Sequence, residues 1–395
     1  MHLYSARVTN FPELLQLIVL FLPATIASMP IYMDIHNVPG AKSKHVAEAH
    51  RQDLIHQDEF GCNCITYWID EERESIFCLI EAVNKDAVKK LHSKAHGLVP
   101  SKIIEVSSAL VQSFLGRIYD PDDAYTVDGL KVFTDPSYRL LMVTVSKDHA
   151  LLRHSLGNER ANALLKRLND VVRRNIKAHN GSEAEHEGEG FVISFVSASD
   201  AIACAHAIKA DLSKPDVSLL DFKMALNGGE PIGKSNKLFG DTIQRGNYLC
   251  SLVSAGKIAI AGKVKDLVSN DMLQLKKKEL HILSLPDEDF VHALLEKFEK
   301  KFDDPEFDIP EYALAMKMSQ PQLYRKSIAV TGTSCNTLLK DFRLKKAKEM
   351  LKTLRYSVSQ VTFETGFTSP SYFTKCFKSG FGLLPMEYME LLKKS

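Results

Sequence analysis

Residues 361–385 of this chain read VTFETGFTSPSYFTKCFKSGFGLLP. The pair Gly366-Phe367 separates two short segments with apolar residues at helical spacing, and the small polar run 368–371 opens the second segment. In that second segment Tyr372, Phe373 and Phe377 recur at helical spacing, with Lys375 and Lys378 on the other face. A helix, a tight turn and a second helix with a basic outer face are typical of a helix-turn-helix unit that reads DNA.

The preceding residues predict another unit of the same kind. Pro310–Lys317 is the expected supporting helix and Gln320–Ile328 the expected reading helix. A connecting helix over Thr337–Leu354 leads to the second unit, in which Ser357–Thr365 supports and Thr368–Ser379 reads. The connecting helix would be about 27 Å long, which is adequate to separate two reading helices.

The predicted reading helices carry side chains suited to DNA. Gln, Ser, Thr and Arg pair with base edges in the major groove, whereas Lys more often contacts phosphate. The expected DNA contacts are Gln320, Gln322, Arg325, Lys326, Thr368, Ser369, Ser371, Thr374, Lys375 and Lys378. Because the first helix has the better base-reading side chains, we expect it to specify sequence and the second to anchor. From charge alone, a helical bundle with a solvated basic face remains the alternative.

This region, 309–395, resembles the AraC/XylS family of transcription regulators. The resemblance is carried by Met318-Ser319, Leu323, Arg325, Gly332, Arg343-Leu344-Lys345-Lys346-Ala347, Gly366-Phe367, Tyr372-Phe373, Phe377-Lys378, Gly382 and Pro385. Val361-Thr362 departs from the Ile-Ala pair that is usual in the family. The resemblance implies sequence-specific binding of double-stranded DNA by two reading helices about 34 Å apart in successive major-groove segments.

Charge is distributed unevenly along the 395 residues. The net charge is only +1, but residues 311–395 hold 14 Lys/Arg against 6 Asp/Glu, a net of +8. The segment 286–308 before them is acidic, with nine carboxylates and three lysines, and is predicted to be a connector containing a short helix over His292–Phe302. A basic domain behind an acidic connector favours a polyanionic partner. The seven cysteines form no regular framework, which favours reduced thiols in the cytoplasm.

Residues 1–28 contain an apolar run, Leu14–Ala24, of signal-peptide length. The run is too short to span a bilayer as a helix, so no membrane partner is expected. A DNA reader must stay in the cytosol, and Met29-Pro30-Ile31-Tyr32 reads as a natural start. We therefore interpret residues 1–28 as an uncertain leader or a misassigned start.

Residues 29–108 alternate between strand and helix patterns in the order βαββαβ, which predicts a ferredoxin-like domain. His92 and His96 are four residues apart on the second helix, so both imidazoles can reach one metal ion. His50 and Asp53 are three apart on the first helix, and His36 ends the first strand. These five residues are the predicted metal ligands, with solvated surface histidines as the alternative.

The same domain resembles a small bacterial family of dimeric, ferredoxin-like proteins that includes nickel-binding members. The shared residues are Tyr32-Met33-Asp34, Val38-Pro39-Gly40, Thr66-Tyr67-Trp68, residues 77–82, Ala95-His96-Gly97, Pro100 and residues 103–106. The resemblance implies a divalent transition metal, nickel or zinc. Imidazole and carboxylate ligands suit several such metals, and spacing does not choose among them.

Residues 109–136 are expected to be a linker, and 137–285 show an α/β pattern. The latter resemble class III nucleotide cyclases at Gly188-Glu189-Gly190-Phe191, Gly240-Asp241-Thr242-Ile243 and Ala255-Gly256-Lys257-Ile258. Cyclases hold two metal ions with two aspartates. Here Ser146 stands at the first position, with Asp148 two residues late, and Glu189 stands at the second; Gln244 and Tyr248 replace the family's later Asn and Arg. The resemblance thus predicts a degenerate domain with no catalytic and no cofactor-binding residues.

The sequence as a whole predicts a multidomain α+β protein. Its modules are a ferredoxin-like N-terminal domain, a cyclase-like α/β middle domain and an all-α double helix-turn-helix domain. The expected function is transcription regulation by a homodimer, formed through the first two domains, that responds to a metal or small ligand. An active cyclase with an attached DNA-binding domain and a metal-binding protein are the competing hypotheses.

Overall fold

The structure is a computed structural model and describes residues 29–393 except 123, 128–129, 188, 214 and 269–278. Residues 1–28, for which a leader or misassigned start is predicted, therefore lie outside the described residues, as does Gly188 of the cyclase-like motif. Among the helices that are described, none combines the length and the apolar character needed to cross a bilayer.

The N-terminal domain has the predicted ferredoxin-like order. Its elements are β1 (Ile31–Asn37), α1 (Ser43–His56), β2 (Cys62–Asp70), β3 (Ser75–Ala82), α2 (Lys85–Ala95) and β4 (Lys102–Val106). The sheet order is β2-β3-β1-β4, and each neighbouring pair is antiparallel. Asn84 starts α2 by accepting the Ala87 N–H at 2.9 Å, a side-chain cap that satisfies one of the free donors of the first turn.

Successive residues of β1 point to opposite faces of this sheet. Tyr32, Asp34 and His36 face α1 and α2, whereas Met33 and Ile35 face the middle domain. The second face is buried in an apolar core that both domains share: Met33, Ile35, Trp68, Phe77, Leu79 and Ile104 from the sheet, and Leu141, Val192, Ile232, Leu238 and Phe239 from the middle domain.

The segment 109–136, predicted to be a linker, packs against both domains. It includes most of α3 (Ser108–Leu115) and a hairpin of β5 (Tyr125–Val127) and β6 (Leu130–Val132), in which Leu130 and Val132 pack against Ala47 of α1. Val111, Phe114 and Leu115 are buried in the shared core. Apolar residues at this helical spacing bury one face of α3, but the helix is too short for its pattern to be distinguished in the sequence.

The middle domain contains a six-stranded mixed sheet with the order β12-β11-β10-β7-β9-β8. Its strands are β7 (Arg139–Val145), β8 (Ser182–Glu187), β9 (Gly190–Phe195), β10 (Lys223–Gly229), β11 (Ile258–Ile260) and β12 (Leu280–Ile282). Its helices are α4 (His149–Leu156), α5 (Asn158–Ala178), α6 (Ala198–Asp211), α7 (Gly240–Ser251) and α8 (Gly262–Lys265). The longest of these helices, α5, buries Leu164, Leu165, Leu168 and Val172 on one side.

The acidic segment 286–308 forms a long helix, α9 (Leu285–Lys301), that packs against the middle domain. The predicted helix over His292–Phe302 was therefore too short. Its buried apolar side chains, Phe290, Val291, Leu294, Leu295 and Phe298, form a stripe. Among its carboxylates, Glu288 is also buried and accepts the Gly262 N–H at 2.9 Å. The prediction followed the many charged residues of this segment and did not use the apolar residues that recur at helical spacing from Phe290.

The C-terminal region is the predicted double helix-turn-helix. Its helices are α10 (Ile309–Ala315), α11 (Gln320–Thr331), α12 (Cys335–Lys352), α13 (Val358–Glu364), α14 (Pro370–Phe381) and α15 (Pro385–Lys393). Serine side chains cap the N-termini of four of them: Ser319, Ser334, Ser357 and Ser369. Phe373 and Phe377 are fully buried in the core of the second unit, and burying each stabilises the fold by about 1.5–3 kcal/mol.

Candidate DNA-binding surface and buried histidine cluster

The first reading helix, α11, presents a continuous exposed stripe. Pro321, Tyr324, Arg325 and Ile328 are exposed at spacings of three and four residues, which places them on one face. Leu323, Ser327 and Val330 are buried on the opposite face. The exposed face is therefore the one that can enter a major groove.

The predicted contacts on α11 fall into two groups. Gln320, Gln322 and Arg325 are exposed, but the amide oxygen of Gln322 accepts the Ser319 N–H at 2.9 Å in a capping box. Lys326 turns away from the exposed stripe and pairs with Asp287 at the start of α9. Tyr324 was missed, although it is 58% exposed beside Arg325 and its spacing from Pro321 was available in the sequence.

The second reading helix, α14, exposes Ser371, Lys375 and Lys378. Thr368, just before it, is exposed, and Thr374 is half-buried. The hydroxyl of Ser369 caps the helix by accepting the Tyr372 N–H, so its role is at least partly structural. Tyr372 is 54% exposed and was not among the predicted contacts.

A cluster of histidines and carboxylates lies between the N-terminal sheet and its helices. His92 Nε2 is 2.9 Å from Asp34 Oδ2, and His92 Nδ1 is 3.1 Å from both Asp53 Oδ1 and His96 Nε2. His36 Nε2 lies 3.2 Å from Asp34 Oδ1. The structure thus brings together four of the five predicted ligands, His36, Asp53, His92 and His96, and adds Asp34 to them.

The donor atoms form two overlapping groups that share His92. One comprises Asp34, His36, Cys78 and His92, the other Asp53, His92 and His96, and within each group the donor atoms lie within 4.8 Å of one another. Asp34 and Cys78 were not predicted as ligands. Asp34 is two residues from His36 and therefore on the same strand face, and Cys78 is its direct partner on β3.

His50 does not join either group. Its ring lies 5.3 Å from that of Tyr67, and burial lowers the pKa of His50. His50 instead lines a largely apolar cavity beside the cluster, together with Val46, Ala49, Leu98 and the cluster residues His36 and His96. The three-residue spacing from Asp53 did not fix which way the imidazole points.

The histidines and carboxylates of the cluster shift one another's pKa values. Burial alone would lower the pKa of His92, but Asp34 and Asp53 raise it to about 10. Burial would raise the pKa of Asp34, but His92 and His36 hold it below its usual range. A protonated His92 between two carboxylates thus supplies the positive charge that a metal ion would supply, and metal binding would displace its protons.

Two buried polar atoms of the cluster lack a hydrogen bond within the described part of the chain, which favours a metal ion at this position. Asp34 Oδ1 and His36 Nε2 have no hydrogen-bond partner among the described residues, although they are 3.2 Å apart. Unsatisfied buried polar atoms are costly and call for an explanation, such as an ion. Imidazole, carboxylate and thiol donors together suit a divalent transition metal.

The cyclase-like positions of the middle domain hold a different arrangement. Ser146 donates its hydroxyl to the Glu189 carbonyl at 2.8 Å. Because it is a serine, it offers no carboxylate to a metal ion at this position. Asp148 caps α4 by accepting the N–H groups of Ala150 and Leu151 at 3.0 and 3.1 Å. Its other oxygen, with the side chain of Glu189, contacts lysines of α12.

Two family models match the chain. The model described as "Nickel responsive protein SCO4226-like" matches residues 32–106, and a "Helix-turn-helix domain" model matches residues 312–390. Among curated relatives, the HTH-type transcriptional regulator GadX of Escherichia coli O6:H1 is 32% identical over 85 residues, which are 22% of this chain and 31% of GadX. The chain spans only 10% and 31% of the length of the first two curated relatives that it matches.

Two solved structures are similar to parts of the chain. SCO4226 from Streptomyces coelicolor A3(2) is 30% identical and covers 19% of this chain and 94% of its own, with a TM-score of 0.19. A bacterial light-regulated adenylyl cyclase is 14% identical and covers 61% of this chain and 88% of its own, with a TM-score of 0.30. Both TM-scores are low, so the domain assignments rest on the family models.

The two outer regions of the chain are thereby assigned. Each predicted resemblance coincides with a matching family model and with the corresponding fold. Residues 312–390 form an AraC-type helix-turn-helix domain, and residues 32–106 form an SCO4226-like domain of the nickel-responsive type.

Proposed function

We propose that the chain is a sequence-specific DNA-binding transcription regulator of the AraC/XylS type. The observation that carries this function is the pair of reading helices in an AraC-type domain, each with exposed polar and basic side chains. Double-stranded DNA is the partner, with the exposed stripe of α11 contributing base contacts and α14 anchoring the domain. A cytoplasmic location follows from that partner.

The division of roles is tested with Arg325→Ala and Lys378→Ala. Both side chains are exposed on reading helices, so neither change should disturb the core. Arg325→Ala should relax sequence preference by about 1–3 kcal/mol at one position, whereas Lys378→Ala should weaken binding to all sequences and reduce the salt slope by about one. Gel-shift measurements on selected and random duplexes across salt concentrations check this. Equal losses on random DNA for both variants contradict it.

For the N-terminal domain we propose a divalent transition metal, nickel or zinc, as the effector. Support comes from the SCO4226-like match, the two overlapping donor groups and the buried atoms Asp34 Oδ1 and His36 Nε2, which have no hydrogen-bond partner among the described residues. His36, His92, His96 and Asp53 would hold the metal, with Asp34 and Cys78 as further donors, and the metal would neutralise the buried carboxylates. A small ligand could approach through the adjacent cavity.

Metal analysis of purified protein tests this site. His92→Ala removes the residue that both donor groups share, so it should abolish binding. His56→Ala, on the same helix as Asp53 but paired with Glu59 at 3.0 Å, is the matched control and should leave the stoichiometry unchanged. His50→Ala should also leave it unchanged, because that imidazole points elsewhere. Preparations that never bind nickel or zinc would refute the proposal.

We further propose that the middle domain is not an enzyme but a structural and dimerisation module. Ser146 lacks a carboxylate, and those of Asp148 and Glu189 are paired with lysines. A homodimer through the first two domains would have to use surfaces other than the sheet face that these domains bury against each other. Formation of cyclic nucleotide from ATP or GTP with Mg²⁺ or Mn²⁺ would overturn the non-catalytic role.

A further inference from the structure

Two carboxylates of the middle domain contact two lysines of the DNA-binding domain. Asp148 Oδ2 lies 3.1 Å from the Nζ atoms of both Lys348 and Lys352. Glu189 contacts the same two lysines, with its Oε2 3.4 Å from Lys348 Nζ and its Oε1 paired with Lys352. The hydroxyl of Tyr388, on α15, donates to Asp148 Oδ2 at 2.8 Å. We call Asp148 and Glu189 the acidic pair.

Asp148 of the acidic pair is held in place by contacts from both domains. The Asp148 side chain is only 2% exposed and accepts two backbone N–H groups at the start of α4. Its neighbours Ala150 and Leu151 pack in the same apolar core as Phe377 and Tyr388. On the other side of this contact, the fold turns the Lys348 side chain inward, to 12% exposure.

Further lysines of the DNA-binding domain are neutralised in the same way by α9. Lys346 Nζ is 2.6 Å from Glu299 Oε1, and Lys326 pairs with Asp287. At least four of the 14 basic residues in 311–395 are therefore paired with carboxylates outside that domain. The positive charge available to a polyanion is smaller than the sequence suggests.

We propose that the acidic pair is an intramolecular docking surface that withholds Lys348 and Lys352 from nucleic-acid phosphates. This proposal rests on the proposed DNA-binding function. It adds a phosphate-binding site on α12, which is masked in the docked state, that is, while Lys348 and Lys352 contact the acidic pair. Both carboxylates and phosphates are oxygen anions, and one ammonium group cannot neutralise a buried carboxylate and a phosphate at the same time. The DNA backbone is thus the competing partner.

The salt dependence of DNA binding reports how many lysines contact phosphate. Each phosphate neutralised by a lysine adds about 0.9 to the slope of log affinity against log salt. Releasing one lysine from the acidic pair should therefore steepen the slope by about 0.9. Between 50 and 200 mM salt this corresponds to an additional loss of affinity of about 3.5-fold.

The test uses the full chain, a random-sequence duplex and the variant Glu189→Gln. Glutamine keeps the shape of the side chain, which is 21% exposed, and removes one of the two carboxylate charges that hold Lys352, the other being that of Asp148. Glu183→Gln, on β8 of the same hairpin, is the matched control because Glu183 pairs with Arg173 within the middle domain. We expect tighter binding at low salt and a steeper slope for Glu189→Gln than for Glu183→Gln. Equal slopes overturn the proposal.

A second substitution identifies the released lysine. Lys352→Met should lower the slope of the Glu189→Gln variant by about 0.9, and that of the otherwise unchanged protein by much less. The same decrease in both backgrounds overturns the proposal, because Lys352 would then contact phosphate in the docked state too. If Glu189→Gln fails to fold, Glu189→Asp, which keeps the charge but withdraws the carboxylate, is measured instead and must also steepen the slope.

These outcomes are distinguishable from failure of the proposed function. A chain that binds no DNA in any variant at low salt contradicts the regulator assignment itself. Weaker binding by Glu189→Gln with an unchanged slope shows that the acidic pair positions the reading helices without masking lysines, and overturns the proposal alone.

Discussion

Gly366, in the turn before the second reading helix, has no room for an added methyl group. Its φ is +75°, and a Cβ there would lie 2.2 Å from the Phe302 carbonyl oxygen and 2.8 Å from Arg343 Nε. Arg343 Nε donates to that same carbonyl at 2.7 Å. Gly366→Ala therefore combines an unfavourable backbone conformation with a collision against main chain, and it disturbs the hydrogen bond that joins α12 to the end of α9.

The magnitude follows from these contacts. The left-handed conformation costs a residue with a Cβ about 1–2 kcal/mol. An ordinary contact begins near 3.4 Å, so the carbonyl must move by more than 1 Å, and loss of a hydrogen bond from a charged donor costs about 1.5–3 kcal/mol more. We expect Gly366→Ala to destabilise the second unit by about 3–5 kcal/mol.

Gly382→Ala is the matched control. Gly382 ends α14 with φ +82°, and a Cβ there meets nothing within 4 Å among the described residues. Gly382→Ala should therefore lower the free energy of unfolding only by the cost of the left-handed conformation, about 1–2 kcal/mol. Hydrogen exchange of the α13 and α14 amides measures local opening in this multidomain chain. An equal or smaller acceleration for Gly366→Ala than for Gly382→Ala would refute the reasoning.

Three further outcomes concern the contacts between domains and the core. Tyr388→Phe removes the hydroxyl that donates to Asp148 and should destabilise the docked C-terminal helices by about 1.5–3 kcal/mol, measured by hydrogen exchange of α15. Burial would raise the pKa of Asp148, but Lys348 and the hydrogen bonds to the carboxylate lower it. Its charge therefore contributes stability above about pH 4, which is lost as pH falls below that value, and Asp148→Asn should flatten this part of a melting-temperature profile. Phe377→Ala, at a fully buried site, should cost about 3–5 kcal/mol and abolish DNA binding by the second unit, checked by denaturation and gel shift.

The helix-turn-helix region could be predicted because its signals are local. Serine caps and the turn at Gly366-Phe367 mark where helices begin and end within a few residues of sequence. The supporting and reading helices accordingly lie close to their predicted bounds. The directions of the lysines could not be predicted, because Lys326 and Lys348 point toward carboxylates that are distant in sequence.

The histidine cluster shows the same limit. His92 and His96 followed from a four-residue spacing, which fixes a common helix face. Cys78 required the register of β3 against β1, where it is the direct partner of Asp34, and register is a tertiary property. The orientation of His50 depended on Tyr67, a residue of another strand. Contacts between elements thus decided which predicted residues meet.

Strand β1 serves two neighbours through alternate residues, and this restricts how the chain can change. Asp34 and His36 belong to the cluster, and Met33 and Ile35 belong to the core shared with the middle domain. Deleting or inserting one residue before Met33 would exchange the two sets, burying a carboxylate in the domain contact and placing a methionine in the histidine cluster. Related chains should therefore vary in length at the turn Pro39-Gly40 but keep an uninterrupted β1.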